Sequence, residues 1–189
     1  RLEQLRALQA GMAIVVAEEQ TGGRGRGGNA WLSPKGSISF TITAPDVQVS
    51  RLGVLPLGVG ACVAGALKRL GAAAFLKWPN DVLIGAWKVS GILCESSLSS
   101  RAARVFLGIG LNVDVWTGDP QLTSTATTLA AQGIEASRPA LVADIAQRDQ
   151  RYRGLLTTGW VGLRFDYNQI PHSMGNNGRS IMTELGPGV

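Results

Sequence analysis

The run Gly23-Arg24-Gly25-Arg26-Gly27-Gly28 sets two guanidinium groups inside a bend built from four glycines. Arginine presents a planar fork of donors that matches a carboxylate or phosphate at two points. Glycine turns through positive φ and lets backbone N–H groups approach a ligand closely. Side chain and backbone together predict a grip on a small anion.

The same run fits G-x-G-x-x-G at Gly23, Gly25 and Gly28. That signature serves dinucleotides only where a strand precedes it and a helix follows. Ala13-Ile14-Val15-Val16-Ala17 reads as a strand, but no helix follows. Asn29 to Gly36 reads as turn-rich, and Ser37-Ile38-Ser39-Phe40-Thr41-Ile42 alternates like a strand. No helix dipole can then face a pyrophosphate. Gly-Lys-Ser/Thr is missing, which excludes a P-loop. A plain glycine-rich hairpin loop stays open.

Two further motifs carry chemistry. Lys77-Trp78-Pro79-Asn80-Asp81 is followed by Lys88-Val89-Ser90-Gly91-Ile92-Leu93. One reading is an ordinary Pro-Asn-Asp turn with a solvated Lys88. The other takes Gly91, inside an apolar strand, as the mark of a close approach by a ligand, with Lys88 nearby. Gly108-Ile109-Gly110-Leu111-Asn112 reads equally as a structural bulge or as a ligand wall.

These pieces need elements to hold them. The chain has 189 residues, 45% hydrophobic and 16% charged, which is globular composition with room for one sizeable core. Leu2, Leu5 and Leu8 predict the end of a helix over 1–10. Residues 51–70 predict a buried helix, with Pro56 in its first turns, a basic end at Lys68-Arg69 and a stop at Gly71. Short strands are expected at 74–78, 82–85, 89–95 and 104–112, and helices at 121–133 and 139–156. The tail from Gly175 has no clear period. Cys62 and Cys94 lie in apolar segments and read as reduced thiols, without metal-ligand spacing. No apolar run reaches membrane-spanning length without Gly, Pro or charge. A cytoplasmic protein with no membrane partner is expected, or an organellar one if the source is eukaryotic. The net charge of +5 suits an anionic ligand and decides little else.

Taken together, Gln20-Thr21-Gly22-Gly23-Arg24-Gly25-Arg26-Gly27-Gly28-Asn29-Ala30-Trp31-Leu32-Ser33-Pro34-Lys35-Gly36, the Lys77–Asp81 and Lys88–Leu93 motifs and Gly108–Asn112 resemble the catalytic domain of biotin protein ligases (holocarboxylase synthetases). The resemblance runs over about residues 12–160. It implies an α+β fold: a mixed, largely antiparallel sheet with helices on one face, akin to class II aminoacyl-tRNA synthetases and lipoate ligases. It implies that biotin and MgATP form biotinyl-5′-adenylate and pyrophosphate. A lysine of a carboxylase carrier domain then attacks the mixed anhydride.

The resemblance also implies roles. Lys88 would bridge the biotin carboxylate and the α-phosphate. Arg24 and Arg26 would hold phosphate and carboxyl oxygens, with the backbone of Gly23 and Gly25 closing over the ligand. Gln20 would line the biotin end. Trp31 and Trp78 would form apolar walls, the backbone of Gly91 and Ile92 would face biotin, and Asn112 would lie near the adenylate. Asp81 or Asn80 would polarise a neighbour or help hold Mg²⁺, with Asp81 the metal candidate. Family members carry a Ser/Thr-Asn segment before the first matched strand and a small C-terminal β-barrel. Residues 1–160 are thus expected to form a catalytic domain incomplete at its N-terminus. Residues 161–189, with Tyr167 and the lone His172, are expected as linker and tail without the barrel. Two alternatives stay open: a lipoate or octanoate ligase, and a small nucleic-acid-binding module using Arg26-Gly27-Gly28 with Trp31 as a stacking platform. The ligase reading itself expects no stable nucleic-acid partner.

Overall fold

The computed structural model describes residues 13–98, 102–114, 124–158, 161–165 and 182–187. The helix expected over 1–10, Tyr167 and His172 lie outside the described residues. The strands are β1 (Ala13–Ala17), β2 (Gln20–Arg24), β3 (Ala30–Ser33), β4 (Ser37–Gln48), β5 (Ala74–Lys77), β6 (Asp81–Ile84), β7 (Trp87–Leu98), β8 (Ala102–Asn112), β9 (Val161–Phe165) and β10 (Met182–Pro187). The helices are α1 (Leu55–Arg69) and α2 (Arg138–Thr158). Six strands form one sheet in the order β1-β4-β8-β7-β6-β5. Every ladder among the described residues is antiparallel, and the one parallel pairing is an isolated bridge between Lys88 and Ala126.

Strand alternation separates two faces. On β4, Ile38, Phe40, Ile42 and Ala44 point one way and are buried. Register sets them beside Leu111, Ile109, Leu107 and Val105 of β8. Ile92 of β7 continues the row opposite Ile109. Both helices cover this face. Ser39, Thr41, Gly108, Gly110 and Gly91 alternate with that row and point the other way.

Helix α1 forms where its composition predicts. Pro56 sits in the first turn, where its missing N–H is no loss. Lys68 and Arg69 occupy the last turn, next to the carbonyl end of the dipole, and Gly71 follows at φ 87°. Leu55, Val59, Val63 and Leu67 are fully buried against the sheet. Gly58 lets α2 approach: a Cβ there would fall inside the Tyr152 ring. Arg69 and Arg148 both pair with Asp144, the latter at 3.2 Å.

Two expected elements differ. Within 121–133 the described residues hold only a 3₁₀ turn at Ala130–Gln132, not a helix. Residues 124–128 instead make a turn and an isolated bridge at Ala126 beside the start of β7. Lys88 N–H donates to the Thr125 carbonyl (3.0 Å), and Thr127 N–H donates to the Lys88 carbonyl (2.9 Å). The β-branched run Thr125, Thr127 and Thr128 disfavours helix, and Thr128 Oγ1 accepts from Ala131 N–H (3.0 Å). In the segment read as linker and tail, β9 and β10 form a two-stranded ladder, and β10 runs beside α1 and β5.

Candidate active site

The glycine–arginine run closes a hairpin. Gln20–Arg24 and Ala30–Ser33 pair as β2 and β3, so the stretch expected to be turn-rich contains a strand. Arg26–Gly28 forms a 3₁₀ turn in which Gly27 and Gly28 take φ of 69° and 83°. Those values suit glycine because it lacks a Cβ. Gly25 N–H donates to the Asn29 carbonyl (2.7 Å), and Asn29 Nδ2 donates to the Arg26 carbonyl (3.0 Å). The hairpin folds over the glycine face of the sheet. The hydroxyls of Ser33 and Ser39 share a buried hydrogen bond of 2.8 Å. The Trp31 indole lies on Gly91 and Gly110, which register sets side by side. A Cβ on Gly110 would fall inside the indole, and one on Gly91 would stand 3.0 Å from it. Trp31 Nε1 is buried without a partner among the described residues.

Between hairpin and sheet lies a cleft of about 650 Å³, a size that suits a cofactor-scale ligand. Gly91, Gly108 and Gly110 line it without side chains; the Trp31 ring covers Gly91 and Gly110, so a ligand meets the indole there and bare backbone at Gly108. Val15 and Ala17 of β1 and Ser39 and Thr41 of β4 continue this lining. Arg24, Arg26 and Lys88 bring three cationic side chains to the same cleft. The arrangement suits a long uncharged ligand that ends in an anionic group.

Lys88 reaches this face because β7 carries a bulge. Val82 pairs with Ser90 but Leu83 pairs with Lys88, leaving Val89 as an extra residue. Regular alternation would set Lys88 on the side of Ser90 and Ile92, beneath α1. The bulge turns it to the side of Gly91. There Nζ stands 2.7 Å from Asp81 Oδ1 and 5.3 Å from the centre of the Trp31 ring.

Of the residues singled out in the sequence, Gln20, Arg24, Gly25, Arg26, Trp31, Asp81, Lys88, Gly91 and Ile92 all line this cleft. Gly23 is tucked behind it, against the Trp31 carbonyl. The Ile92 side chain is buried in the core near Gly60 of α1. Its N–H donates to the Asn80 carbonyl (2.9 Å), and its own carbonyl accepts from Asn80 Nδ2 (2.8 Å). Asn80 therefore braces the Lys77–Asp81 turn against β7. Trp78 is 56% exposed and outside the lining. Asn112 also lies outside it. At 2% exposure, its Nδ2 donates to the Thr127 carbonyl (3.1 Å) and reaches the Lys88 carbonyl at 3.5 Å. It ties residues 124–128 to the backbone that carries Lys88.

Ser39, Thr41 and Glu95 line the cleft without having been singled out. Their alternation with apolar neighbours was visible, but only the docked hairpin tells which face of the sheet is the cleft. Cys94, on the opposite face of β7, has its thiol pushed up to about 11 by burial and, less strongly, by Glu95. It stays protonated near neutrality. Among the described residues no group of three or more His, Cys, Asp or Glu could hold a metal, and Lys88 engages the Asp81 carboxylate.

The model of the biotin/lipoate A/B protein ligase family matches residues 3–112. The bifunctional ligase/repressor BirA of Bacillus subtilis (strain 168) is 33% identical over 175 residues, covering 88% of this chain and 54% of that protein. The biotin–[acetyl-CoA-carboxylase] ligase of Mycobacterium tuberculosis is 33% identical over 130 residues, covering 65% and 47%. The chain thus spans about half the length of the curated relatives it matches. The structure of the biotin protein ligase from Aquifex aeolicus in complex with biotin and ATP superposes with a TM-score of 0.70 at 30% identity, covering 83% of this chain and 68% of that one. The family match takes in the hairpin, the Lys77–Asp81 turn, the bulge and the glycine floor, and extends over more than half of the chain, which belongs to the biotin/lipoate A/B protein ligase family.

Proposed function

We propose that this chain activates biotin with ATP to biotinyl-5′-adenylate and transfers biotin to a lysine of a carboxylase carrier domain. The observation that carries the reading is the bulge that turns Lys88 into a glycine-floored cleft beside Arg24 and Arg26. Attack of the biotin carboxylate on the α-phosphate of ATP brings two anions together, forms the acyl–phosphate bond and expels pyrophosphate. Charge builds on the phosphoryl oxygens, and fixed cations aimed at them lower that barrier. Lys88 has three N–H donors, enough to bridge a carboxylate and a phosphate. Arg24 and Arg26 offer forked donors for the remaining oxygens. In the second step the acceptor amine attacks the acyl carbon and AMP leaves with the bonding pair. The hairpin would shield the anhydride from water until the acceptor arrives.

The uncharged body of biotin suits the face of the Trp31 ring and the backbone at Gly108, with Gln20 and Thr41 as polar contacts. Magnesium belongs to the ATP phosphates as part of the substrate, since the Asp81 carboxylate is engaged by Lys88. The relatives named for biotin–protein ligation support the acceptor class. Neither Cys62 nor Cys94 is in a disulfide, and the reaction consumes ATP, which together support a cytoplasmic setting.

The test is biotin-dependent pyrophosphate release, with calorimetry against biotin, lipoate and a short single-stranded oligonucleotide. Release with biotin, and binding of biotin above the other two, is expected. Lys88→Ala removes one transition-state cation and should cost at least about 3 kcal/mol, or about 100-fold in adenylate formation, with the fold retained. Release unchanged in that variant, or binding of lipoate or the oligonucleotide in place of biotin, overturns the reading.

A further inference from the structure

Asp81 opens β6 and register sets it directly opposite Gly91, so its carboxylate points to the cleft face. There it holds Lys88 Nζ at 2.7 Å, with side chains 21% and 31% exposed. The rest of Lys88 is held as well. Its N–H donates to the Thr125 carbonyl, its carbonyl accepts from Thr127 N–H, and Asn112 Nδ2 reaches the same carbonyl. The ammonium stands 5.3 Å from the centre of the Trp31 ring. The backbone is thus clamped from one side and the tip of the side chain from the other.

Resting on the ligase reading, we propose that Asp81 is a positioning residue for Lys88: its carboxylate occupies one of the three ammonium donors and aims the other two across the cleft. A lysine stem has four rotatable bonds, and an untethered ammonium would spread over many rotamers. The Asp81 contact removes that freedom before the ligand arrives, so the ordering cost does not fall on the transition state. Asp81 touches neither the reacting carboxylate nor the phosphate, and acts only through Lys88.

The experiment compares single-turnover adenylate formation from biotin and ATP in the unmutated chain, Asp81→Asn, Asp81→Glu, Lys88→Ala and the Asp81→Asn/Lys88→Ala double variant. Asparagine keeps the shape of Asp81, so the fold should survive, and glutamate keeps the charge. Asp81→Asn should slow the step by about 10- to 100-fold at saturating substrates. The KM for biotin should stay within about threefold, because ground-state binding does not depend on Asp81. Asp81→Glu should recover most of the rate. In the Lys88→Ala background Asp81→Asn should add nothing, as expected for a residue that acts through the other. A second readout needs no turnover: the Trp31 indole N–H resonance should move in the same direction in Asp81→Asn and Lys88→Ala, since both take the ammonium from above the ring. Penalties that multiply in the double variant, or an Asp81→Asn protein with unchanged rate and unchanged Trp31 resonance, overturn the proposal. If the unmutated chain makes no adenylate, the ligase reading fails, and the Trp31 resonance alone decides whether Asp81 holds Lys88.

Discussion

Replacing Gly110 with alanine adds one methyl group on the cleft face of β8, at a point inside the Trp31 indole. The φ of Gly110 is not positive, so alanine meets no backbone conflict and, relative to glycine, favours the strand by about 0.5–1 kcal/mol. The strand cannot yield, because β4 pairs with it on one side and β7 on the other. The indole must therefore leave the floor. Stripping a large aromatic from its seat costs about 3 kcal/mol. Set against the strand gain, this leaves about 2 kcal/mol on the docking of the β2–β3 hairpin, or about 30-fold in its opening equilibrium. Amide hydrogen exchange over residues 20–33 of the ligand-free protein reads that equilibrium directly. Gly108→Ala is the matched control. It lies two residues away on the same face, but its Cβ would meet only Leu93, at 3.3 Å from the carbonyl. Exchange over the hairpin should rise about 30-fold in Gly110→Ala and stay near the unmutated value in Gly108→Ala. Equal protection in both variants would refute the argument that Trp31 on a bare floor holds the hairpin down.

Asn112→Ala leaves the Thr127 carbonyl without its buried donor and should cost about 1–3 kcal/mol, seen as a lower urea midpoint with faster exchange at the Lys88 and Thr127 amides; an unchanged midpoint counts against the clamp. Tyr152 is pushed up to about 12 by burial, then by Cys62 and Asp149 and against Arg51, from an ordinary value near 10. The folded state therefore holds a proton that the unfolded state releases first, and this stability is present below pH 10 and lost as pH rises from 10 towards about 12. Denaturant midpoints of Tyr152→Phe should lack that alkaline loss, whereas the loss from about pH 9 to about 11 carried by Cys94 persists. An identical alkaline limb in both proteins would exclude the tyrosine. Arg26→Gly should weaken retention of the activated acyl group, so bystander lysines become labelled when biotin and ATP are supplied. Strict acceptor selectivity in that variant would remove Arg26 from the retaining set.

Local chemistry settled a good part of this protein in advance. The apolar run ending in Lys68-Arg69 and Gly71 predicts α1 because a helix needs one covered face, a cationic end and a residue able to stop it. The alternation Ser37-Ile38-Ser39-Phe40-Thr41-Ile42 predicts a strand because side chains two apart share a face. Two arginines within a glycine bend predict anion binding from donor geometry alone, and both line the cleft. Tertiary structure decided the rest. The threonine run at 125–128 keeps helical-looking neighbours, yet backbone bonds to Lys88 hold it against the start of β7, and those partners lie far away in sequence. Nothing local tells that Val89 is an extra residue in its ladder, and without that bulge Lys88 would point under α1. The pairing of Gly91 with Gly110 is a matter of register between β7 and β8, and so is the floor on which Trp31 rests. Side-chain type and spacing along one strand determine what a segment can do. Which face it does it on, and beside which partner, follows from strand register and from the packing of the hairpin against the sheet.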